Sequence, residues 1–399
     1  MAVDNRITAN NLSLDTLKFI GSIVMVVSLP FSESLKSISL GLIFLVFLIQ
    51  WFRKEIKIDF STIHYGFILL FISSVISSAF ALNPAKSLKG AKDILFYSSV
   101  FFVASSISSE KHIRIILWSL YISTTLSALS GIYHSIEMNK PLEIHSLGNQ
   151  NYTAMFFVIV TTSMLSTIAF SDKESRLMKF MLIISSAIIL IASVMTVMRA
   201  SFLGLLVFLA VLLFSKERPR MALLIPLGCI GLTALAVYID KSMWLKFLSS
   251  QSLTSRLDIW KHAIQSLIEN PIIGIGLNHF SYTFPLTHSV EPGNTVYDAH
   301  SLYLQVASQM GSIGVLALTI IIVGFIYRWI NFKPATGVGI ALKYTAMGAF
   351  LIVTVTGLFD TTLHHKHAIA FTLLTGLMFG YFEGVRKTNG IQNTAFHNS

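Results

Sequence analysis

The sequence predicts an all-α integral membrane protein with about twelve transmembrane helices. Of its 399 residues, 54% are hydrophobic and only 12% are charged, and the mean hydropathy is +0.70. Soluble domains carry roughly 25% charged residues. Apolar runs of about 20 residues, the length that crosses the hydrocarbon layer as a helix, recur from end to end. Because lipid offers backbone polar groups no partners, such a chain must be helical.

About twelve apolar segments satisfy the length rule, with ends placed to within about 2–4 residues. In chain order they are Leu17–Pro30, Leu35–Phe52, Thr62–Leu82, Ala91–Ile107, Ile113–Ile136, Tyr152–Phe170, Met178–Met198, Phe202–Phe214, Met221–Ile239, Leu302–Tyr327, Val338–Phe359 and Ala368–Phe382. The first run lacks a small-residue cleavage site, so we interpret it as a retained span rather than a signal peptide. The eighth is short, and Arg199 marks its border with the seventh, which predicts a tight hairpin.

Lysine and arginine predict the orientation, because they concentrate in the short loops on the cytoplasmic side of a membrane protein. Numbering the N-terminus as inside, the inside loops and C-terminal tail hold Arg53, Lys54, Lys57, Lys111, Arg114, Lys173, Arg176, Lys179, Lys216, Arg218, Arg220, Arg328, Lys333, Arg386 and Lys387. Both termini are therefore predicted to be cytoplasmic. Topology explains most of the net charge of +10, and a nucleic-acid partner is not needed. The only cysteine, Cys229, excludes an intrachain disulfide.

One loop is much longer than the rest. We divide the chain into residues 1–239 with spans one to nine, 240–301 as an outer loop, 302–387 with spans ten to twelve, and 388–399 as a cytoplasmic tail. The other loops have about 5–15 residues, close to the usual short connections. There is no internal repeat and no matched pair of broken helices, features that indicate a secondary transporter. Long loops on a rigid scaffold are where chemistry is usually placed.

The most structured part of that loop is "SLTSRLDIWKHAIQSLIENPIIGIGLNHF", residues 252–280. Apolar residues recur there at helical spacing, namely Leu253, Leu257, Trp260, Ile264 and Leu267. Ser255 with Asp258 forms a capping-box pattern, and Pro271 ends the helix. The pattern predicts an amphipathic helix on the membrane surface with Trp260 at headgroup depth. The Gly274-x-Gly276 pair follows no strand, so it predicts a turn and not a dinucleotide site.

Two arginines on the outer side are unusual. Arg256 follows the predicted cap, where free N–H groups and the helix dipole already favour anions. Arg199, in "MTVMRASFLG", lies between two apolar helices with no loop around it. An ionisable group there faces either the protein interior or a watery cavity, unless it merely snorkels to the interface. Both readings of Arg199 stay open, as does a purely structural role for Arg256.

His300 stands where the long loop meets span ten, in "YDAHSLYLQVASQMGSIG". An isolated interfacial histidine is more often structural than catalytic. Its ordinary pKa near 6.5 nevertheless leaves it mostly neutral at pH 7, as a general base must be. With two arginines on the same face, it describes a site for transfer from an anionic leaving group. The guanidinium fork matches phosphate oxygens and keeps its proton.

These residues resemble a known family. His300-Ser301, nine residues and then Gly311-Ser312-Ile313-Gly314 resembles the histidine motif of the O-antigen ligases, membrane glycosyltransferases of the GT-C-like type. The span order, the large loop after span nine, the "MRASFLG" stretch and "SRLDIW…ENPIIGIGLNHF" are similar too. The motif-level resemblance is confined to about residues 195–204 and 252–314. O-antigen polymerases and protein O-glycosylating ligases share the architecture and remain alternatives, as does a transporter of lipid-linked glycans.

The resemblance implies a periplasmic active site in the inner membrane of a Gram-negative bacterium. The donor would be O-antigen polysaccharide on undecaprenyl pyrophosphate, and the acceptor a sugar hydroxyl of lipid A–core oligosaccharide. No nucleotide, metal or other cofactor is implied, and no Asp-x-Asp motif occurs. His300 would act as the base, and Arg199 and Arg256 would hold the pyrophosphate.

Further polar residues are predicted near the site. Asn149 and Asn151 stand at the outer start of span six, where helix capping is the alternative. Lys89, with Lys86, lies outside against the orientation rule and is a candidate for phosphate binding, with an ordinary interfacial lysine as the alternative. Asp298 and Asp360 are candidates to orient His300, and a turn role is open for Asp298. In "FDTTLHHKH", the spacing of His364, His365 and His367 does not fit the i,i+4 pair of a zinc helix.

Overall fold

The structure, a computed structural model, is helical in every regular element of the residues it describes. These are residues 13–56, 58–215, 251–283, 296–334 and 336–397, with Gly228 and Gly231; the side chains of 251–255, 365 and 386–397 are not described. The helices are α1 (Leu14–Ser28), α2 (Glu33–Phe52), α3 (Thr62–Ala79), α4 (Pro84–Ser105), α5 (Glu110–Met138), α6 (Gln150–Phe170), α7 (Arg176–Met195), α8 (Ala200–Leu213), α9 (Gln251–Glu269), α10 (Phe280–Thr283), α11 (Leu302–Asn331), α12 (Gly337–Thr356) and α13 (His365–His397).

A helix covers each predicted span except the ninth, Met221–Ile239, which lies outside the described residues apart from Gly228 and Gly231. Within the described ranges, 8 helices are long and apolar enough to cross a membrane. They are α2, α3, α5, α6, α7, α11, α12 and the first part of α13. The shorter α1 and α8 and the lysine-bearing α4 fall below that standard. The chain is a multi-pass membrane protein. The last helix also continues through residues 388–397 of the predicted tail.

Helix α6 lies at the centre of the bundle. Its apolar stretch is 94% buried, whereas the corresponding stretches of α2 and α7 are 33% buried and form part of the outer wall. It packs against α7, α12 and α13, while α11 packs against α3 and α13 against α4. Helices that face lipid are apolar on their exposed surface as well. The buried fraction of a helix, and not its hydropathy, therefore distinguishes the central helix from the outer ones.

Alternating helix directions bring several helix starts to one end of the bundle. Lys366 at the start of α13 pairs with Glu33 at the start of α2. Asn151 in the first turn of α6 bonds to Asp360, just before α13. The Thr356 hydroxyl, at the end of α12, donates to the Ala200 carbonyl at the start of α8. We call this the site end, because His300 precedes α11 there.

Helix α11 is broken at Gly311, which has φ 61° and ψ −159°. The preceding segment 271–276 repairs the break through its backbone. Ile275 N and Gly276 N donate to the carbonyls of Ser308 and Gln309 at 2.9 and 3.1 Å. In return, the N–H groups of residues 312 and 313 donate to the carbonyls of residues 271 and 272 at 2.8 and 3.4 Å. The predicted turn at Gly274-x-Gly276 is thus part of a segment docked into the broken helix.

Close backbone approach explains the glycines at this junction. A Cβ on Gly311 would lie 2.3 Å from the Ile272 carbonyl oxygen. A Cβ on Gly274, whose φ is 70°, would lie 2.3 Å from the Gln309 carbonyl carbon. Only glycine accepts both the left-handed backbone and the missing space. The pair therefore fixes the outer loop to the membrane helix.

Helix α9 packs by a face that the apolar stripe did not indicate. Ile259 and Ala263 are buried against Phe280 and Ala299. Leu257 and Ile264 of the predicted stripe are 53% and 48% exposed. The amphipathic helix predicted from the sequence is present. Its buried face packs against Ala299, the residue before His300.

Candidate active site

The backbone around His300 is held in an uncommon conformation. His300 has φ 45°, a left-handed value that few non-glycine residues adopt. The His300 N–H donates to Asp298 Oδ1 at 3.1 Å, and the Ala299 N–H donates to Gln305 Oε1 at 2.6 Å. Leu302 N donates to the Gly357 carbonyl at 2.8 Å. The loop end is therefore fixed to both α11 and the end of α12, and the imidazole has a defined position.

Two carboxylates face one nitrogen of His300. Its Nδ1 lies 3.5 Å from Asp298 Oδ1 and 3.6 Å from Asp360 Oδ1. With a proton on Nδ1, the ring attracts both carboxylates and leaves Nε2 as the hydrogen-bond acceptor. The His300 side chain is 36% exposed, so a substrate can reach the imidazole from outside the bundle. The arrangement suits a proton acceptor oriented by carboxylates.

Asp360 is itself held firmly. It is buried, and its Oδ2 accepts from Asn151 Nδ2 at 2.6 Å. The Thr361 N–H donates to Asp360 Oδ1 at 2.8 Å, and the Thr361 hydroxyl donates to Asp298 Oδ1 at 3.1 Å. These hydrogen bonds fix the orientation of the Asp360 carboxylate. Thr361 thus ties the two carboxylates to each other.

The balance of charges raises the pKa of His300 above its ordinary value. Burial acts in the opposite direction and is the largest single influence, followed by the Asp360 carboxylate 3.6 Å away and the charge of Asp298, which raise the pKa. The Arg256 charge lowers the pKa. His300 is therefore a stronger base than an ordinary histidine, and a smaller fraction of it is neutral at pH 7 than the ordinary pKa implies.

The two arginines differ in their relation to His300. Arg256, half-buried near the start of α9, is close enough for its charge to act on the imidazole. Arg199 is exposed and immediately precedes α8 at the site end. Its neighbour Ala200 is tied to Thr356, and Gly357 is tied to Leu302. The structure therefore places Arg256 within electrostatic range of His300, and Arg199 at the same end of the bundle.

The other predicted residues divide into two groups. Asn151, Asp298 and Asp360 join His300 in one cluster. Asn149 caps α6, because its Oδ1 accepts from Tyr152 N at 3.0 Å. Lys89 is exposed on α4. The alternative of capping that the sequence left open is therefore what the Asn149 oxygen does, and no contact joins Lys89 to the cluster among the contacts that the structure describes.

Two histidines of "FDTTLHHKH" contact the same aromatic ring. The Tyr152 ring lies 5.8 Å from the His364 ring and 5.2 Å from the His367 ring between centroids, and His364 Nε2 also lies 3.9 Å from Asp93 Oδ2. The His365 side chain is outside the described set. Burial holds the pKa of His364 below its ordinary value, against the charges of Asp93 and Asp298. His364 therefore extends the polar cluster towards α4.

One group of side chains has ligand spacing for a metal ion. Single donor atoms of Asp298, His300 and Asp360 all lie within 4.8 Å of one another. A histidine and two carboxylates suit several divalent cations. The same atoms, however, are accounted for by the imidazole between two carboxylates and by donors from Asn151 and Thr361. Both descriptions fit the geometry, and chelation distinguishes them.

Sequence reasoning missed residues that hold the site together. Thr361 bridges the two carboxylates, and Gln305 fixes the backbone before His300. Asp93 faces His364 from α4. Gln305 and Gln309 form an amide pair at i,i+4 in the first turns of an apolar span, and Asp93 is an ionisable group within another span. Both are signals of function in membrane proteins.

A family model described as O-antigen ligase matches residues 180–319. Residues 180–319 are thus similar to the O-antigen ligase family. The resemblance seen in the sequence is thereby confirmed over this range. The matched range includes Arg199, Arg256, Asp298 and His300, as well as the broken helix at Gly311. No curated protein matches the chain significantly.

The match indicates a general activity, that of a membrane glycosyltransferase of the ligase and polymerase type. Asn151 and Asp360 lie outside the matched range. They nevertheless meet His300 in space, because α6 and the segment before α13 begin at the same end of the bundle. The candidate active site therefore combines the matched range with helices on either side of it.

Proposed function

We propose that this protein transfers O-antigen polysaccharide from undecaprenyl pyrophosphate to a sugar hydroxyl of lipid A–core oligosaccharide. The transfer inverts the anomeric carbon and needs neither a nucleotide nor a metal. The observation that carries the proposal is His300 Nδ1 between Asp298 and Asp360, at 3.5 and 3.6 Å, with His300 and Asp298 in the range that matches the O-antigen ligase family. Arg256 beside this group supplies the cation that an anionic leaving group requires.

The reaction is a single displacement. The acceptor hydroxyl oxygen attacks the anomeric carbon while His300 Nε2 takes the hydroxyl proton. The bond from the anomeric carbon to the pyrophosphate oxygen breaks, and undecaprenyl pyrophosphate leaves with the electron pair. General-base help of this kind contributes about 10²–10⁴-fold to a rate. Asp298 and Asp360 orient the imidazole and stabilise it once it is protonated.

The arginines carry the charge of the leaving group. Arg199 and Arg256 bind the pyrophosphate oxygens, with Lys89 as a further contact on the same side. Guanidinium groups stabilise the charge that develops as the bond breaks, which is usually the largest catalytic effect. They take the place that a divalent cation occupies in many enzymes that handle phosphates. Asn149 and Asn151 lie at the rim of the site, and Asn151 acts by holding Asp360.

The same proposal fixes the location. The protein spans the inner membrane of a Gram-negative bacterium with both termini in the cytoplasm, so the site end faces the periplasm. Residues 240–301 then form the periplasmic loop. The support is the distribution of lysine and arginine, together with the gathering of the polar cluster at one end of the bundle.

Reconstitution tests the enzyme directly. The purified protein in nanodiscs is mixed with lipid-linked O-antigen and lipid A–core, and transfer is followed by gel mobility. His300→Asn is the sharper variant, because asparagine tolerates the left-handed backbone at this position whereas alanine adds strain. We expect a loss of about 10²–10⁴-fold with unchanged expression. Transfer by His300→Asn at a near-normal rate would refute the base assignment.

A strain lacking the protein separates ligase from polymerase. Loss of a ligase leaves long lipid-linked polymer and bare core, whereas loss of a polymerase leaves core that carries single repeats. Unchanged lipopolysaccharide with altered glycosylation of secreted proteins would favour a protein O-oligosaccharyltransferase. Transport without any role for His300 would favour a transporter of lipid-linked glycans. The strain lacking the protein would then retain lipid-linked glycan on one side of the membrane.

A further inference from the structure

A small cavity lies directly behind the His300 cluster. It has a volume of about 60 Å³ and lies between α3, α4, the first turns of α11 and the segment 361–364. Thr361 forms a wall shared with the cluster, since it lines the cavity and also donates to Asp298 and Asp360. Whatever enters the cavity is therefore in contact with groups that are connected to the reacting centre.

The cavity contains an amide that has no partner. Gln309 is 3% exposed, and its Nε2 is buried without a hydrogen-bond acceptor. A buried donor without an acceptor is unfavourable, because it has lost its hydrogen bonds to water. The backbone carbonyl of Gln309 is already occupied by Ser77 and Gly276, so the residue is held in place while its amide stays available. This favours an acceptor oxygen supplied from outside the protein.

The rest of the lining indicates what kind of molecule supplies that oxygen. Asp93, Asn278, Gln305 and His364 add acceptors and donors, and apolar side chains fill the remaining wall. Among the lining residues that the structure describes there is no lysine or arginine. A phosphate would meet the Asp93 carboxylate without a compensating cation. A neutral group that both donates and accepts, such as a hydroxyl, matches this set.

The size of the cavity agrees with that chemistry. A cavity admits a water-sized group once it offers about 10–15 Å³. The volume of about 60 Å³ thus takes a few such groups, as one hydroxyl-bearing edge of a sugar ring presents. Gln305 and Gln309 lie one helical turn apart on α11, so their amides can reach neighbouring hydroxyls.

We propose that this cavity is a sugar subsite, in which Gln309 Nε2 and Asp93 bind hydroxyl groups of the sugar next to the bond being made. The inference rests on the proposed glycosyl transfer and adds a specificity element to it. The sugar belongs either to the acceptor core or to the donor glycan, and both present the same hydroxyl chemistry. The pyrophosphate binds elsewhere, on the arginine side of His300.

The test compares Gln309→Met with Gln265→Met in the reconstituted full-length protein. Methionine keeps the length of the side chain and removes the amide. Gln265 undergoes the same change at an exposed position of α9, where its amide only meets Glu269. Initial rates are measured with lipid-linked O-antigen varied at saturating lipid A–core, and then the reverse. Asp93→Asn is a second variant of the subsite.

We expect Gln309→Met to raise the KM for one of the two substrates by about 10-fold, the factor of one buried hydrogen bond, with little change in kcat. The substrate whose KM rises is the one that occupies the cavity. Gln265→Met should match the unaltered protein. If both KM values of Gln309→Met equal those of the unaltered protein, the cavity is not a sugar subsite and holds only water.

A binding measurement keeps the subsite testable apart from catalysis. Saturation-transfer NMR is recorded on the protein in nanodiscs with delipidated core oligosaccharide and with free O-antigen glycan. One of them should show contacts that Gln309→Met loses and Gln265→Met keeps. Binding without transfer would defeat the proposed function and support the subsite. The absence of binding by either glycan would defeat the subsite even where transfer is active.

Discussion

Asn151 and Asp360 share a hydrogen bond of 2.6 Å between Nδ2 and Oδ2, although 209 residues separate them in the sequence. The bond joins the first turn of α6 to the segment before α13. Asp360 faces His300 Nδ1 with its other oxygen, at 3.6 Å. The position of the imidazole therefore depends on the central helix of the bundle as well as on the loop that carries it.

Asp360→Asn should slow transfer and move its pH dependence. The base must be neutral, so the rate rises with pH through the pKa of His300. The carboxylates hold that pKa above 6.5, which places the acid limb above pH 6.5. Removing one carboxylate charge lowers the pKa and moves the limb to lower pH. Loss of a partner that orients the reacting group costs about 10–100-fold in activity.

Rates between pH 5 and 9 check this expectation. Glu174→Gln is the control, since it removes a buried carboxylate at the opposite end of the bundle. That variant should keep the acid limb in place. A limb that stays fixed in Asp360→Asn would mean that Asp360 does not act through His300.

Arg256→Gln should shift the acid limb of the pH–rate profile in the direction opposite to Asp360→Asn. The Arg256 charge lowers the pKa of His300, so its removal raises the pKa and moves the acid limb to higher pH. Transfer should also weaken, because the pyrophosphate loses a guanidinium contact. A purely structural role for Arg256 would lower the rate equally at every pH.

Arg199→Lys tests bidentate recognition. Lysine keeps the positive charge but loses the planar fork that matches phosphate oxygens. We expect the rate constant kcat to fall at least 10-fold, as measured by transfer at saturating donor and acceptor. Activity equal to that of the unaltered protein would leave Arg199 as an interfacial cation.

Gly311→Ala should destabilise the protein. The residue has φ 61°, and a Cβ would lie 2.3 Å from the Ile272 carbonyl oxygen, which is backbone and cannot rotate away. We expect a clear drop in Tm in detergent, equivalent to more than about 1 kcal/mol. Gly41→Ala in α2 is the matched control, because a Cβ there meets nothing within 4 Å. An equal Tm for the two variants would contradict the docking of segment 271–276.

Chelation should leave transfer unchanged. The atoms of Asp298, His300 and Asp360 that lie within 4.8 Å of one another are explained by the oriented imidazole. Transfer is measured after dialysis against EDTA and again after addition of Mg²⁺ or Mn²⁺. Activity that is lost on dialysis and restored by a cation would place a metal between these side chains.

Much of this architecture could be predicted from hydropathy. Span lengths are set by the bilayer, so the helix order followed from apolar runs alone, with the ninth span outside the described residues. The family and the importance of His300 as a candidate followed from a short motif. Helix direction then indicated that Arg199, His300 and Asp360 lie at one end, because alternating spans fix sidedness.

Contacts between residues that are far apart in the sequence could not be predicted. Nothing in the sequence pairs Asn151 with Asp360, since the bond depends on how α6 and α12 pack. The buried face of α9 was hidden because Ile259 and Ala263 are less conspicuous than the stripe that contains Leu257. The break at Gly311 was not predicted, since apolar periodicity continues across it.

The repair of α11 by segment 271–276 has a consequence for biogenesis. Gly311 lies about 14 Å along the helix from its first residue. Without the segment, α11 would enter lipid with the Ser308 carbonyl and the N–H groups of residues 312 and 313 unsatisfied, at several kcal/mol each. In the proposed orientation the repairing segment is synthesised first and is translocated before its helix emerges. Stable integration of α11 would then be completed by a translocated loop, and the insertion machinery would release both together.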